Sequence, residues 1–336
     1  MAKAIIIGTG KIGTELRKQL EAARHEVLAT VNRHLIAVVG KPGFQRCHGD
    51  VDEAVQVLGS VARDADAVML AIANTNHGDD ELQYMEVFRD KRVVTCAKAG
   101  HAYQYLRVLA LGQPIGRRAI VGGGTDMLEI LRRRQLANEN LILDAVVNGT
   151  LNHIWHGVQG GGSPIGAIGD AKALGYAEPG STDNVAILNG ELDDLCMKAA
   201  ILHNVVLSDG EHFLTPNDFK VFYLKSEEDI HRLSSRNVRC RFILTFSSVK
   251  DYDELPEGNC GSLRAQCGRW HICGDFHNVG AETPWFDWLR EMGDVMNGFR
   301  ISPRSKDGPY SFVGPGAGPE VTAKAMVRDL HDLLAA

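Results

Sequence analysis

The residues able to do chemistry concentrate between Gly175 and Lys198, in GYAEPGSTDNVAILNGELDDLCMK. The stretch carries Glu178, Asp183, Glu191, Asp193 and Asp194 and ends on a lone lysine, Lys198. The apolar run Ala199–Leu202 follows and reads as the buried face of a helix. Asp194 and Lys198 are four residues apart, which on a helix places them on one face, one turn from each other. An ammonium held beside a carboxylate at an acidic pocket positions or relays a proton. The same spacing also makes an ordinary surface ion pair. The elements around the pair decide between the two.

Those elements begin with Ala4–Ile7, a short apolar run rich in β-branched residues. It leads into Gly8-Thr9-Gly10-Lys11-Ile12-Gly13, a helical period over Glu15–Ala23, and a second strand over Glu26–Val31. Strand, glycine turn, helix and strand in this order give each glycine a task. Gly8 permits the tight turn, Gly10 admits a pyrophosphate to the backbone, and Gly13 lets the helix pack closely on the strand. The helix N-terminus, from Lys11 and Ile12, then faces phosphate with its partial positive charge. After the second strand, Val31-Asn32-Arg33 lacks the acidic residue that usually holds the ribose hydroxyls of NAD. Arg33 is either a partner for a 2′-phosphate, which favours NADP over NAD, or a plain surface residue.

Further buried strands are expected at Ala65–Ala73, Arg92–Cys96 and Arg118–Gly124, with a helix over Thr125–Gln135. In doubly wound sheets ligands sit beyond the C-terminal strand ends. Thr75 and Lys98 fall at that rim. A strand over Leu141–Val147 ends in Asn148-Gly149-Thr150, either a plain turn or a backbone platform for a small substrate. Ile165–Leu174 reads as a helix, Thr215–Pro216 as a helix start, and Arg239–Ser247 and Arg269–Cys273 as strands of an antiparallel sheet suited to a dimer surface. Cys260, Cys267, His271 and Cys273 lack the paired spacing of a zinc site, so no metal is expected. A second glycine-rich loop, Phe312–Pro319 with Gly316 at its centre, opens a final helix over Val321–Leu334.

The strings VVTCAKAG, VVNGTLNHI, AKALGYAEPGSTDN, the Asp194–Lys198 pair and VGPGAGPEVTAKAMVRDL resemble the homoserine dehydrogenase family, in family order. The resemblance covers the nucleotide half, the middle to about residue 205 and the closing stretch. It implies an enzyme of amino-acid biosynthesis that interconverts L-aspartate 4-semialdehyde and L-homoserine with NADP or NAD. It makes Lys98 and Lys198 catalytic lysines at the substrate oxygen, with Asp194 holding Lys198. It gives Glu178 to the substrate's amino group, Gly149 and Thr150 to backbone contacts, and a second substrate carboxylate to Asp183 or its neighbour Asn184. It sets the Gly316 loop beside the nicotinamide, and it lacks length for the regulatory domain that some members carry. The chain also departs from the pattern. Extra residues lie within 183–191, Ala97 stands for an asparagine, Arg118 for the glutamate that helps bind a monovalent cation, and Asp126 for a proline.

The expected class is α/β: a Rossmann-type dinucleotide-binding domain of residues 1–135 and 306–336, with an inserted α+β substrate and dimerisation domain over 136–305. The 336 residues suit two domains, and 44% hydrophobic with 23% charged residues suits a globular protein. A net charge of -6 offers no basic surface for nucleic acid. No apolar run is long enough to span a bilayer, and seven cysteines, an odd number, suit reduced thiols. A cytoplasmic homodimer acting on a small amino acid, without nucleic-acid or membrane partners, is the expectation. Two other readings stand beside it: a related dehydrogenase for another small amino or hydroxy acid, and an NADP-binding sensor. Retention of both lysines, Asp194 and Glu178 speaks against the sensor.

Overall fold

The short apolar runs of the nucleotide half become a seven-stranded sheet in the order β4-β3-β2-β1-β5-β6-β7. The computed structural model describes residues 1–47, 50–176, 183–235, 240–248, 263–279, 284–289, 292–303, 308–316 and 318–336. The strands are β1 (Lys3–Ile7), β2 (Glu26–Val31), β3 (Leu35–Val38), β4 (Gln45–Arg46), β5 (Ala67–Leu70), β6 (Arg92–Thr95) and β7 (Ile115–Gly116). From β2 to β7 through β1 the pairing is parallel, while β3 and β4 add an antiparallel edge. Helices α1 (Lys11–Ala22), α2 (Val51–Leu58), α3 (Ser60–Asp64), α4 (Asp79–Val87), α5 (Ala99–Tyr103) and α6 (Tyr105–Ala110) connect them.

A parallel sheet is covered on both faces, so its strands are apolar throughout. Ile5 and Ile7 pack with Val68, Leu70, Leu82 and Phe88 in one core. Ala4 and Ile6 pack with Leu16, Leu20, Met69 and Val94 in another. That second core is closed by Ala323, Met326 and Leu330 of the last helix, α12 (Pro319–Ala335). Each such aliphatic side chain contributes about 1.5–3 kcal/mol when fully buried. The resulting unit comprises Met1–Leu128 and Gly318–Ala336.

The strand expected over Arg118–Gly124 does not form. The ladder stops at Gly116, and Arg118–Ile120 is a single 3-10 turn. The cause is local. The Arg118 backbone N–H donates to the Asp329 carboxylate of α12 at 2.8 Å instead of to a strand. The Arg118 guanidinium reaches Asp329 at 2.7 Å, Asp332 at 2.6 Å and Asp126 at 3.4 Å, and Arg328 reaches Asp126 at 2.6 Å. The two residues that depart from the family pattern at 118 and 126 therefore face each other.

The second unit, Glu129–Ala317, divides from the first inside α7 (Met127–Arg133) and at Gly318, where the sequence reading placed 135 and 306. Its sheet runs β14-β13-β8-β10-β12-β11-β9 with antiparallel pairing. The strands are β8 (Leu141–Val146), β9 (Lys220–Val221), β10 (Cys240–Ser247), β11 (Leu263–Cys267), β12 (Trp270–Asn278), β13 (Met296–Pro303) and β14 (Tyr310–Pro315). Helices α8 (Gly149–Gln159), α9 (Pro164–Leu174), α10 (Asn184–Leu202) and α11 (Glu227–Ser235) accompany them. The first three start on side-chain caps: Asn148, Ser163 followed by Pro164, and Asp183. The helix start expected at Thr215 forms as one turn, Pro216–Asp218, with Asp218 accepting from the Thr215 N–H at 2.7 Å in a capping box.

Candidate active site

Helix α10 carries Glu191, Asp194 and Lys198 at i, i+3 and i+7, so all three point to one side. The Lys198 ammonium lies 2.6 Å from the Asp194 carboxylate and donates to the Val147 carbonyl at 2.7 Å. Their side chains are only 13% and 12% exposed, which rules out the solvated surface pair. Asn148, the residue after Val147, binds the cluster together. Its amide nitrogen donates to Glu191 at 2.7 Å and to Asp194 at 3.2 Å, while its oxygen caps α8 by accepting from the Leu151 N–H at 2.8 Å. Low water access strengthens each of these charge-assisted contacts. Nearby Cys196 is no competing nucleophile, because burial, then Asp193 and Asp194, push its thiol up to about 12.

Gly149 and Thr150 open α8 and are buried. The Thr150 hydroxyl donates to the Tyr176 carbonyl at 2.9 Å. Asp183 caps α10 by accepting from the Val185 N–H at 3.0 Å. It stands eleven residues before Asp194, about 16 Å along the helix. Neighbouring Asn184 donates to Glu227 at 2.7 Å. Glu178 lies outside the described residues.

In the first unit the glycine turn joins β1 to α1. A Cβ at Gly8 would lie 2.1 Å from the Ala71 carbonyl oxygen, and one at Gly13 would lie 1.9 Å from that of Gly8. Those two positions admit no side chain. Gly10 faces open space, with nothing within 4 Å of its absent Cβ. Thr9 and Lys11 are exposed beside it, whereas Ile12 turns into the core. The Asn32 amide donates to the Thr9 hydroxyl at 3.2 Å, and its oxygen accepts from the N–H of His34 and Leu35. That turn leaves Arg33 exposed.

Lys98 precedes α5 at the end of β6, and its backbone N–H donates to Asn74 at 2.6 Å. Buried Glu81 of α4 fixes the same segment by accepting from Thr95 at 2.8 Å and from the Gly100 N–H at 2.7 Å. The Thr75 hydroxyl donates to Asp80 at 2.6 Å. Gly316, in the second unit, sits where a Cβ would meet Asn297 at 2.4 Å, and its N–H donates to Val295.

Residues 127–331 match the family model of homoserine dehydrogenase. The chain belongs to the homoserine dehydrogenase family. It is 26% identical over 296 residues to a homoserine dehydrogenase of Pseudomonas aeruginosa, covering 86% of this chain and 58% of the relative. It is 25% identical over 248 residues to an NAD(+)-dependent homoserine dehydrogenase of Pseudomonas canavaninivorans, covering 72% of this chain and 62% of the relative. The chain thus spans less than two thirds of the length of these relatives. A hyperthermophilic archaeal homoserine dehydrogenase solved in complex with NADPH shares the fold, with a TM-score of 0.65 at 19% identity over 99% of this chain and 98% of that one.

As a homoserine dehydrogenase family member the chain keeps the Asp194–Lys198 pair, and the structure adds partners that sequence reasoning missed. Asn148 was legible only as part of a turn or backbone platform, and Glu191 only as one acid in a run. Asn74 and Glu81 gave no motif signal at all. His153 follows the NGT string on α8, and its Nδ1 lies 2.8 and 2.9 Å from the two oxygens of Asp294. Its ring meets Tyr176 edge to face, with centroids 5.0 Å apart. Asn148 and Glu191, and likewise His153 and Asp294, lie too far apart in sequence for spacing to pair them.

Proposed function

We propose that this chain is a nicotinamide-dependent dehydrogenase that interconverts L-aspartate 4-semialdehyde and L-homoserine. The observation that carries the reading is the secluded Lys198–Asp194 pair, tied through Asn148 to the Gly149–Thr150 turn in a chain of this family. The glycine turn fits a dinucleotide: Gly8 and Gly13 close the backbone on itself, while Gly10 leaves room for a phosphate to approach. Gly8, Thr9, Gly10, Lys11, Ile12 and Gly13 would hold the pyrophosphate, and exposed Arg33 a 2′-phosphate. NADP is favoured on Arg33, and the relative named for NAD(+) keeps NAD in view.

The bound nicotinamide supplies or accepts the hydride. Lys198 holds a proton at Nζ and delivers it to the substrate oxygen as that oxygen gains charge, and takes it back in the oxidation. Asp194 and the Val147 carbonyl fix the ammonium, so no reorganisation is needed at the moment of transfer. The parts of Lys98, Thr75, Gly316, Asp183 and Glu178 are proposed from the motifs alone. A cytoplasmic homodimer is proposed with them. Exposed Tyr310 and Phe312 on the edge strand β14 support a partner surface there.

The test follows NADPH and NADH absorbance with aspartate semialdehyde, and NADP and NAD reduction with homoserine. Turnover in both directions is expected, and Lys198→Ala should abolish it while leaving dinucleotide affinity nearly unchanged. Dinucleotide binding without turnover of homoserine would replace this substrate with another small amino or hydroxy acid.

A further inference from the structure

Lys98 lies between two kinds of backbone support. The β5–β6 ladder ends at Thr95, with one last bond from the Cys96 N–H to Leu70, and α5 begins at Ala99. The four N–H groups from Ala97 to Gly100 fall between the two, and side chains serve them. The Thr95 hydroxyl accepts from Ala97 at 3.0 Å, Asn74 accepts from Lys98 at 2.6 Å and from Ala99 at 3.3 Å, and Glu81 accepts from Gly100 at 2.7 Å. Glu81 also governs the first of these contacts. It accepts the Thr95 proton at 2.8 Å, which leaves the hydroxyl oxygen free to accept from the Ala97 N–H. The rival acceptor for that proton, the Ala97 carbonyl, is 3.5 Å away. Glu81 is 2% exposed, so water does not compete for its oxygens. An apolar side chain would fill this space without the cost of burying a charge. A carboxylate supplies what neither an apolar group nor an amide can, two acceptor oxygens for two donors. The fit is close, since a Cβ on Gly100 would lie 2.8 Å from a Glu81 oxygen.

We propose that Glu81 is a positioning residue for Lys98. One carboxylate, bonded three residues before the lysine and two residues after it, fixes the backbone from which the ammonium reaches the substrate oxygen. This rests on the reaction proposed above and deepens the part of Lys98 in it. Asn74, in the loop after β5, grips the N–H of the lysine itself, so two separate elements hold the turn. Misplacing a reacting group by about an ångström costs about 100-fold in rate. Glu81 therefore acts on kcat while touching neither substrate nor dinucleotide.

The experiment uses the full chain with homoserine and NADP. Glu81→Leu removes both acceptors, Glu81→Gln keeps one, and Thr95→Val breaks one link while Glu81 stays. Glu81→Leu should lower kcat about 10- to 100-fold, with KM and the dinucleotide dissociation constant changed less than about two-fold. Glu81→Gln should recover most of that loss, and Thr95→Val should fall between the two. In a Lys98→Met background, Glu81→Leu should cost less than about two-fold further, because it acts through the lysine. Amide hydrogen exchange at Lys98, Ala99 and Gly100 should quicken about 10-fold or more in Glu81→Leu, while the β1 and β5 amides stay protected. Where Glu81→Leu does not fold, Thr95→Val and Glu81→Gln carry the same comparisons. Equal kcat losses with and without Lys98, or unchanged exchange at the three amides, would overturn the proposal and leave the reaction intact. A Lys98→Met chain with undiminished turnover would overturn it too, while Lys198→Ala still tests the reaction. A wild-type chain that does not turn over homoserine overturns the reaction itself, and the exchange comparison then still decides whether Glu81 holds the segment around Lys98.

Discussion

Asn148 makes three hydrogen bonds from one short side chain, and two of them bridge carboxylates that would otherwise repel each other. Asn148→Ala should therefore cost more than a lost helix cap. Removing a donor shared by Glu191 and Asp194, together with the cap, predicts a loss of about 2–4 kcal/mol in denaturant unfolding. The freed Asp194 should also hold Lys198 less well, so kcat should fall while the dinucleotide dissociation constant stays unchanged. A stability loss without any kcat effect would separate Asn148 from the chemistry. Arg33 is tested by charge alone. Arg33→Ala should weaken NADPH by about 10-fold or more and NADH hardly at all, measured by direct binding, since only the former carries the 2′-phosphate. Equal effects would remove the preference for NADP. At this scale the sequence displayed the groups that lie on one helix, Asp194 and Lys198, because helical spacing is a local property. It concealed Asn148's links to Glu191 and Asp194, and Asp294's link to His153, because those form only when distant segments meet.

At the scale of the element, the sheet of the second unit buries two ionisable groups whose effects on stability oppose each other. His277 on β12 packs against Phe286, and burial lowers its pKa to about 4. Its neutral form is the one the fold accepts. The stability it contributes is full above its ordinary value near 6.5 and is lost as pH falls towards 4. Asp144 on β8 is raised to about 6 by burial, against opposing help from the Thr245 hydroxyl, the Trp285 indole and the Arg300 charge. Its contribution is present below its ordinary value near 4 and is lost as pH rises through 6. Each shift is worth about 3 kcal/mol at most. Denaturant unfolding between pH 4 and 7 should thus respond in opposite directions. His277→Phe should lessen the acid loss, and Asp144→Asn should steepen it. Changes of the same sign in both variants would show that one of the two groups is solvated in the folded protein. The polar character of this layer escaped the sequence pattern, since strand periodicity predicts apolar residues on a covered face. The absent strand at Arg118–Gly124 has the converse cause: its residues suit a strand, but α12 supplies Asp329 where a ladder partner was expected.

At the scale of the whole molecule, the first unit is assembled from two pieces of chain separated by the entire second unit. Gly318–Ala336 is part of its core, because Ala323, Met326 and Leu330 cover Ala4, Ile6, Leu16 and Leu20. This return was legible in the sequence only through the family resemblance of the glycine-rich loop and the helix after it, whereas its clasp was not. Arg118 meets Asp329 and Asp332 across more than two hundred residues, and no local pattern predicts such a pairing. Deleting residues 318–336 would expose an apolar face and leave the Arg118 guanidinium without two of its acids. Loss of one side of a secluded ion pair alone costs about 3–5 kcal/mol, a large share of a domain's stability. The truncated chain is therefore expected to lose dinucleotide binding. Joining residues 318–336 by a flexible linker to the front of residues 1–128 should restore it, because the rearranged chain contains every residue of that core and closes it with local rather than distant contacts. The restored unit should unfold in one cooperative step and protect its β1 and β5 amides from hydrogen exchange. If the rearranged chain binds dinucleotide no better than the truncated one, the core described here is not sufficient to form the glycine turn, and residues 129–317 must contribute to it.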